Sequence, residues 1–175
     1  MTGKNKLGQI WVETVIYTLI GLAIIGVVLA LVRPAIDEKK DQLILDQSLS
    51  VLNYIKEKVE DVRDYGPGNS RAIEIKIQKG KFNINSINDS IEFYMKSSYR
   101  YSQLNESVMI GKISSLTKKI GKEYEITLTL DYKDKINISW NSQETEKIFQ
   151  PSPTPYSFVV NNKGSGNSLV NIDFN

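Results

Sequence analysis

The sequence of 175 residues contains no cysteine and no histidine. These absences exclude disulfides, a thiol nucleophile, a catalytic imidazole and metal sites built on thiolate or imidazole ligands. An excess of one charge is also missing, because 22 Lys and Arg stand against 20 Asp and Glu. Proteins that bind nucleic acids need a surface with an excess of positive charge. We therefore expect no catalytic residue, no metal, no cofactor and no nucleic-acid partner.

An uncharged segment of nineteen residues runs from Thr14 to Val32. At ~1.5 Å per residue a helix of this length spans roughly 28 Å, close to the ~30 Å hydrocarbon core of a bilayer. Arg33 and Pro34 follow, so we predict one membrane-spanning helix that kinks or ends at Pro34. The segment is longer than the apolar part of an ordinary secretory signal, and we expect the mature protein to keep it.

A short basic leader precedes the apolar segment. Lys4 and Lys6 lie in it and favour a cytoplasmic N-terminus. Glu13 lies near the entry end of the apolar helix. An ionised carboxylate there costs up to about 2.5 to 3.5 kcal/mol if it reaches mid-depth. Glu13 therefore either extends to the headgroups or has a specific role.

The order of these features resembles the class III signal peptide of archaeal type IV pilins. In that pattern a glycine is followed by Gln-x-Ser-x-Glu. Here Gly8 is followed by Gln9 and, four residues later, by Glu13, with Trp11 in the place of the serine. The resemblance covers residues 1 to about 34. It implies that a prepilin peptidase cleaves between Gly8 and Gln9 and removes the leader.

The resemblance also implies how the subunit assembles. In the family the glutamate of one subunit meets the N-terminal amine of its neighbour, which gives Gln9 and Glu13 a role in assembly. The implied partners are copies of the chain or other pilins, the prepilin peptidase, an assembly ATPase and a membrane platform protein. Membrane lipid surrounds the helix before assembly. Two alternatives stay open: pairing of the Gln9 amine with Glu13 of the same chain, and cyclisation of Gln9.

Helical periodicity resumes after Pro34 and predicts an amphipathic helix that stops near Tyr65, because Gly66, Pro67 and Gly68 follow. Its predicted buried stripe consists of Ile36, Leu43, Leu49, Leu52, Ile55, Val59 and Val62. Acidic residues interleaved with lysines at 37–41 and 56–61 are interpreted as a solvated face and not as a calcium site.

Beyond Gly68 the apolar pattern has a period of two, which indicates strands. The predicted strands are 72–78, 90–95, 124–132, 136–140, 157–160 and 169–174. Residues 133–135 predict a hairpin turn between the two strands that they join, and residues 161–164 a turn before the last strand. The segments 99–104 and 108–114 fit either strand or loop. The predicted fold class is α+β, type IV pilin-like: a long N-terminal helix packed on an antiparallel β-sheet or small sandwich.

The predicted organisation is a cleaved leader (1–8), a transmembrane and polymerisation helix (9–33), an amphipathic continuation of that helix (34–65) and an extracellular β domain (66–175). Three glycosylation sequons begin at Asn88, Asn105 and Asn137, of which the first two lie in polar stretches. Trp140, Tyr99 and Tyr101 fit either sheet packing or a ligand platform, and we favour packing.

The leading hypothesis is a type IV pilin-like structural subunit. It is inserted in the membrane, processed, and then assembled into an extracellular filament or pseudopilus. The alternative is a signal-anchored, single-span surface protein with an extracellular binding domain. A membrane-tethered enzyme using a carboxylate pair is a third hypothesis, but neither spacing nor environment marks such a pair.

Overall fold

The structure is a computed structural model that describes residues 4–165 and 169–175, with side chains described from Ile10 onward. Within these residues the chain forms a helix followed by strands, and it divides between Lys39 and Lys40 into two units. The elements are α1 (Lys4–Asp64), β1 (Ser70–Ile75), β2 (Lys81–Asn85), β3 (Ser90–Ser97), β4 (Ser107–Ile110), β5 (Ile113–Ile120), β6 (Glu123–Asp131), β7 (Ile136–Trp140), β8 (Glu146–Phe149), β9 (Tyr156–Ser165) and β10 (Val170–Phe174).

Helix α1 is continuous through Pro34, so the helix does not end there. A proline removes one backbone hydrogen bond, and the bonds of the neighbouring residues are enough to continue a helix of this length. The helix ends at Asp64, as the sequence predicts. Gly66 and Gly68 have φ angles of 86° and 84°, which favour glycine, and they direct the chain away from the helix.

The second part of α1 buries a face that matches the predicted stripe only toward its C-terminal end. From residue 49 to residue 62 the predicted positions are buried or partly buried. At the start the prediction is wrong, because Ile36 and Leu43 are 57% and 62% exposed. The face instead continues through Ser48, Ile44 and Asp41, which are buried. Two of these residues are polar, so hydrophobic periodicity assigned them to the solvated side.

The strands form two sheets. The first has the order β1-β9-β10-β7, and the second has the order β4-β5-β6-β3-β2-β8. Neighbouring strands are antiparallel except for β10 and β7, which pair in parallel. Both sheets and the part of α1 after Lys40 contribute side chains to one hydrophobic cluster. The α+β class is thus confirmed, with a mixed sheet where an antiparallel one was predicted.

The predicted hairpin between β6 and β7 is wrong. Strand β6 lies between β5 and β3 in the six-stranded sheet, whereas β7 lies at the edge of the other sheet. Asp89 stabilises the crossing, because its carbonyl oxygen accepts the Tyr132 N–H at 2.9 Å and its carboxylate accepts the Ile138 N–H at 2.7 Å. Alternation along a strand determines which face is buried, but it does not determine the neighbouring strand.

Each of the predicted strands overlaps a strand of the structure, but most of the predicted bounds differ from the observed ones. The sequence pattern does not predict β2 and β8, because each is short and β8 is largely exposed, and it does not predict residues 115–120 of β5. Residues 161–164 continue β9 and do not form the predicted turn. The prediction also included the glycines that follow, and residues 166–168 lie outside the described residues. The ambiguous segment 108–114 covers most of β4, the turn and the first two residues of β5, and 99–104 is a loop apart from a single bridge at Leu104. On β6 the side chains at 126, 128 and 130 are buried on one face, in agreement with the apolar period of two that predicts this strand.

Candidate membrane and assembly helix

The first unit of the chain presents an apolar helical surface that is exposed on all sides. Within the described residues, α1 provides the one helix that is long and apolar enough to cross a membrane. The large apolar side chains of α1 from Ile10 to Ile36 are between 39% and 73% exposed. They are Ile10, Trp11, Val12, Val15, Ile16, Tyr17, Leu19, Ile20, Leu22, Ile24, Ile25, Val27, Val28, Leu29, Leu31, Val32 and Ile36.

The two threonine hydroxyls in this surface are satisfied within the helix. Thr14 donates its hydroxyl to the Ile10 carbonyl at 2.9 Å, and Thr18 donates to the Thr14 carbonyl at 2.8 Å. Bonds of this kind let a hydroxyl enter a medium without water, because no donor is left unpaired. The hydroxyls of Thr14 and Thr18 are therefore compatible with a lipid or protein environment.

Glu13 lies in the same surface but differs from these threonines in its bonding. Its side chain is exposed, and no hydrogen bond or ion pair joins it to the side chains that the structure describes. It lies four residues after Gln9 in α1, so the two positions share one helix face. A carboxylate in an apolar surface without a partner requires either water or an external cation.

The predicted cleavage junction lies in the first turns of α1. Lys4, Lys6, Gly8 and Gln9 belong to the helix, and their side chains are not among those described. Residues 1–3 of the predicted leader lie outside the described residues. The backbone thus places Gly8 and Gln9 directly before the exposed apolar surface.

The second unit begins with a buried carboxylate. Asp41 is 4% exposed, its carboxylate forms an ion pair with Lys79, and it accepts the backbone N–H and the hydroxyl of Ser98 at 2.8 and 2.9 Å. Burial by itself raises the pKa of Asp41, but the hydrogen bonds from Lys79 and Ser98 outweigh it, and the pKa is lowered overall.

The sequence pattern assigns Asp41, with Asp37 and Glu38, to a solvated face, and for Asp41 this interpretation is wrong. The sequence held no signal for this site, because Lys79 and Ser98 lie 38 and 57 residues away along the chain. Among the described residues no group of three or more acidic side chains is arranged to hold a metal ion.

The three sequons have different surroundings. Asn88 is exposed between β2 and β3, and Asn105 is exposed with a φ of 60° before β4. Asn137 is half-buried in β7, and its side-chain amide donates to Asn171 at 3.0 Å. The amide nitrogen of Asn137 is thus engaged, while the other two side chains are exposed.

The aromatic residues weighed as a ligand platform pack in two places. Trp140 contacts Phe149 and Phe158 with ring centroids 5.6 and 6.2 Å apart, and Tyr99 contacts Tyr101 at 6.4 Å. All of these residues are buried in the hydrophobic cluster or packed against it. Sheet packing is thus confirmed for Trp140, whereas Tyr99 and Tyr101 pack against the cluster from the loop after β3.

Comparisons of the chain with protein-family models, with curated proteins and with solved structures found no match.

Proposed function

We propose that this chain is a type IV pilin-like structural subunit. In this proposal a prepilin peptidase cleaves between Gly8 and Gln9 after the N-terminus has inserted with its leader in the cytoplasm. The membrane then holds the subunit by α1 until it joins an extracellular filament or pseudopilus. The subunit performs no catalysis, and its partners are further pilin subunits, an assembly ATPase and a membrane platform protein.

The observation that carries the proposal is the exposure of the apolar side chains from Ile10 to Val32. Covering an exposed Leu, Ile or Val side chain contributes about 1.5 to 3 kcal/mol. A surface of this extent is not stable in water and needs a covering of lipid or protein. Lipid provides it in the membrane, and neighbouring α1 helices provide it in a filament, so transfer between the two need not expose the helix to water.

The exposed carboxylate of Glu13 supports assembly in a defined register. Cleavage before Gln9 creates an ammonium group at the head of the apolar surface. Two opposite unit charges 4 Å apart attract by about 4 kcal/mol at an effective dielectric constant of 20. The attraction is of the same order as the ~2.5 to 3.5 kcal/mol that a carboxylate costs at mid-depth in a membrane helix. Because the ammonium also loses its hydration, the pair fixes the register of the subunits more than it stabilises them. A neighbouring subunit that brings its amine to Glu13 therefore removes the least favourable feature of the helix.

The second candidate is a signal-anchored surface protein with an extracellular binding domain. It is favoured by the fact that lipid alone can cover the apolar surface of α1, and by Trp11, which replaces the serine of the pilin pattern. In this case residues 1–8 remain, and Glu13 reaches the headgroups.

Mass spectrometry of the mature N-terminus in the native host separates the two candidates. We expect a chain that begins at Gln9, either free or cyclised, in both the membrane fraction and sheared surface material. A membrane-bound chain that keeps its basic leader contradicts the pilin-like proposal and supports the anchored protein.

A further inference from the structure

A cleft of about 320 Å³ lies in the second unit, where the last turns of α1 face the β4–β5 turn and the end of β6. Its volume is at the lower end of the range for small-molecule sites. It belongs to the β-containing part of the chain, and it has no role in the proposed assembly through α1. Its charged lining residues are Lys56, Glu60, Arg63, Lys112, Asp131 and Lys135.

The charges of this cleft do not cancel. Four of the six residues are cationic. Lys112 pairs with Glu60 at 2.9 Å and Arg63 pairs with Asp64 at 2.8 Å, which leaves Lys56 and Lys135 against Asp131. Lys56 and Lys135 have no ion pair or side-chain hydrogen bond with any residue that the structure describes. The cleft therefore has a positive potential that favours an anion over a cation.

A buried donor lines the same cleft. Tyr132 is 5% exposed, and its hydroxyl has no hydrogen-bond partner among the described residues. Burial, together with the negative charge of Glu60, raises the pKa of Tyr132 against the opposing effect of Arg63, so the phenol keeps its proton at neutral pH. An unpaired buried hydroxyl is unfavourable. The hydroxyl oxygen is closed to solvent, so a ligand oxygen satisfies it only if the lining side chains move apart to admit the ligand.

The rest of the lining is apolar. Leu130 and Ile136 are buried, and Met109 is an exposed apolar side chain of the β4–β5 hairpin. A ligand in this cleft thus meets cations and a hydroxyl donor together with an apolar surface. This combination suits a small molecule in which an oxyanion is attached to a compact body, and it offers little to a neutral sugar.

We propose that this cleft binds a small oxyanionic ligand, with Lys56 and Lys135 contacting the anionic group and Tyr132 donating to one of its oxygens. The anionic group of the ligand is a carboxylate or a sulfate, both of which present negatively charged oxygens to these residues. A carboxylated sugar would use the apolar surface as well, whereas a free inorganic anion would use only the cations and the hydroxyl.

The test is calorimetric titration of the full-length chain in zwitterionic detergent micelles at constant ionic strength. The probes are sodium sulfate, sodium glucuronate and, as the neutral comparison, glucose. The variants are Lys56→Gln/Lys135→Gln and Tyr132→Phe. The matched control is Lys118→Gln/Lys119→Gln, which removes the same charge from exposed positions of β5 outside the cleft. Thermal unfolding of each variant establishes that it is folded.

We expect saturable binding of at least one anion at one site and none of glucose. The lysine double variant should weaken binding about tenfold, since hydrogen bonds to charged groups are among the stronger ones. Tyr132→Phe should weaken it by a smaller factor, and the control should leave it unchanged. Tighter binding of glucuronate than of sulfate identifies a carboxylated ligand with a body; tighter binding of sulfate identifies the free anion.

Three results would overturn the proposal: no saturable binding of either anion, equal loss in the control double variant, or equal binding of glucose. The second result would mean that the anions respond only to net charge. The titration does not depend on filament formation, so its failure leaves the proposed assembly function unaffected.

Discussion

The carboxylate of Asp41 accepts the backbone N–H of Ser98 at 2.8 Å, although 57 residues separate them. The same carboxylate pairs with Lys79, so one side chain joins α1 to the segments that follow β1 and β3. The contact fixes the start of the packed part of α1 on the β domain through a group that hydrophobic periodicity treats as solvated.

The substitution Asp41→Asn should destabilise the folded domain by about 1 to 3 kcal/mol, because it leaves Lys79 without its anionic partner and weakens the hydrogen bonds from Ser98. Urea unfolding in detergent micelles, followed by near-UV circular dichroism, measures the change. Asp37→Asn, at an exposed position of the same helix, is the matched control and should have little effect. Equal midpoints for the two variants would contradict the role assigned to Asp41.

The contribution of Asp41 should depend on pH. Its pKa is lower in the folded chain than the usual value near 3.8, so the unfolded chain binds the proton first as the pH falls. The stabilisation is complete above the unfolded pKa of about 3.9 and is lost as the pH falls through the lower, folded pKa. The difference in unfolding free energy between wild type and Asp41→Asn should therefore stay constant from neutral pH down to about pH 5 and narrow below about pH 4. A difference that does not narrow below about pH 4 would contradict this explanation.

The substitution Glu13→Gln should reduce the amount of polymer in sheared surface material at least about tenfold, because a neutral amide cannot replace an ion pair whose disruption costs about 3 to 5 kcal/mol. The subunit should still insert in the membrane. Immunoblots of sheared and membrane fractions measure both quantities, with Glu57→Gln as the control at an exposed position later in α1. Normal polymer from the Glu13 variant would contradict pairing with a neighbouring amine.

The substitution Gly80→Ala should destabilise the domain by about 2 to 4 kcal/mol through overpacking and backbone strain. Gly80 has a φ of 86°, and a Cβ atom there would lie 2.5 Å from the Tyr94 carbonyl oxygen and 2.8 Å from the Met95 Cβ. Gly121→Ala separates the two causes. At Gly121 φ is 63° with no heavy atom within 4 Å, so strain alone applies and about 1 kcal/mol is expected. If thermal unfolding shows that Gly80→Ala and Gly121→Ala lose equal stability, a steric contribution at Gly80 is excluded.

Two tyrosines that differ in hydroxyl bonding should respond in opposite ways to replacement by phenylalanine. Tyr132→Phe removes a buried hydroxyl that has no partner among the described residues, so stability in the absence of ligand should stay the same or rise by up to about 1 kcal/mol. Tyr94→Phe removes the bond to Glu125 at 2.8 Å and should cost about 0.5 to 1.5 kcal/mol. Differential scanning calorimetry measures both. A larger loss for Tyr132→Phe would mean that its hydroxyl is already bonded.

Local patterns were sufficient for several parts of this molecule. The apolar helix follows from composition alone, because a long uncharged run leaves few other structures possible. The end of α1 follows from Gly66 and Gly68, and the buried face of β6 from its alternation. The position of Glu13 in the apolar surface could likewise be predicted from the sequence, since it depends only on spacing along one helix.

Contacts between distant segments were beyond the sequence. Asp89 bonds the crossing between β6 and β7, which lie in different sheets, and the buried Asp41 bonds Lys79 and Ser98. The cleft at Tyr132 likewise combines α1, the β4–β5 turn and the end of β6. Hydrophobic periodicity indicates which face of a helix or strand is buried, because the apolar side chains on that face leave water when the chain folds. Partners, register and polar burial depend on which surfaces meet, and only the tertiary structure decides that.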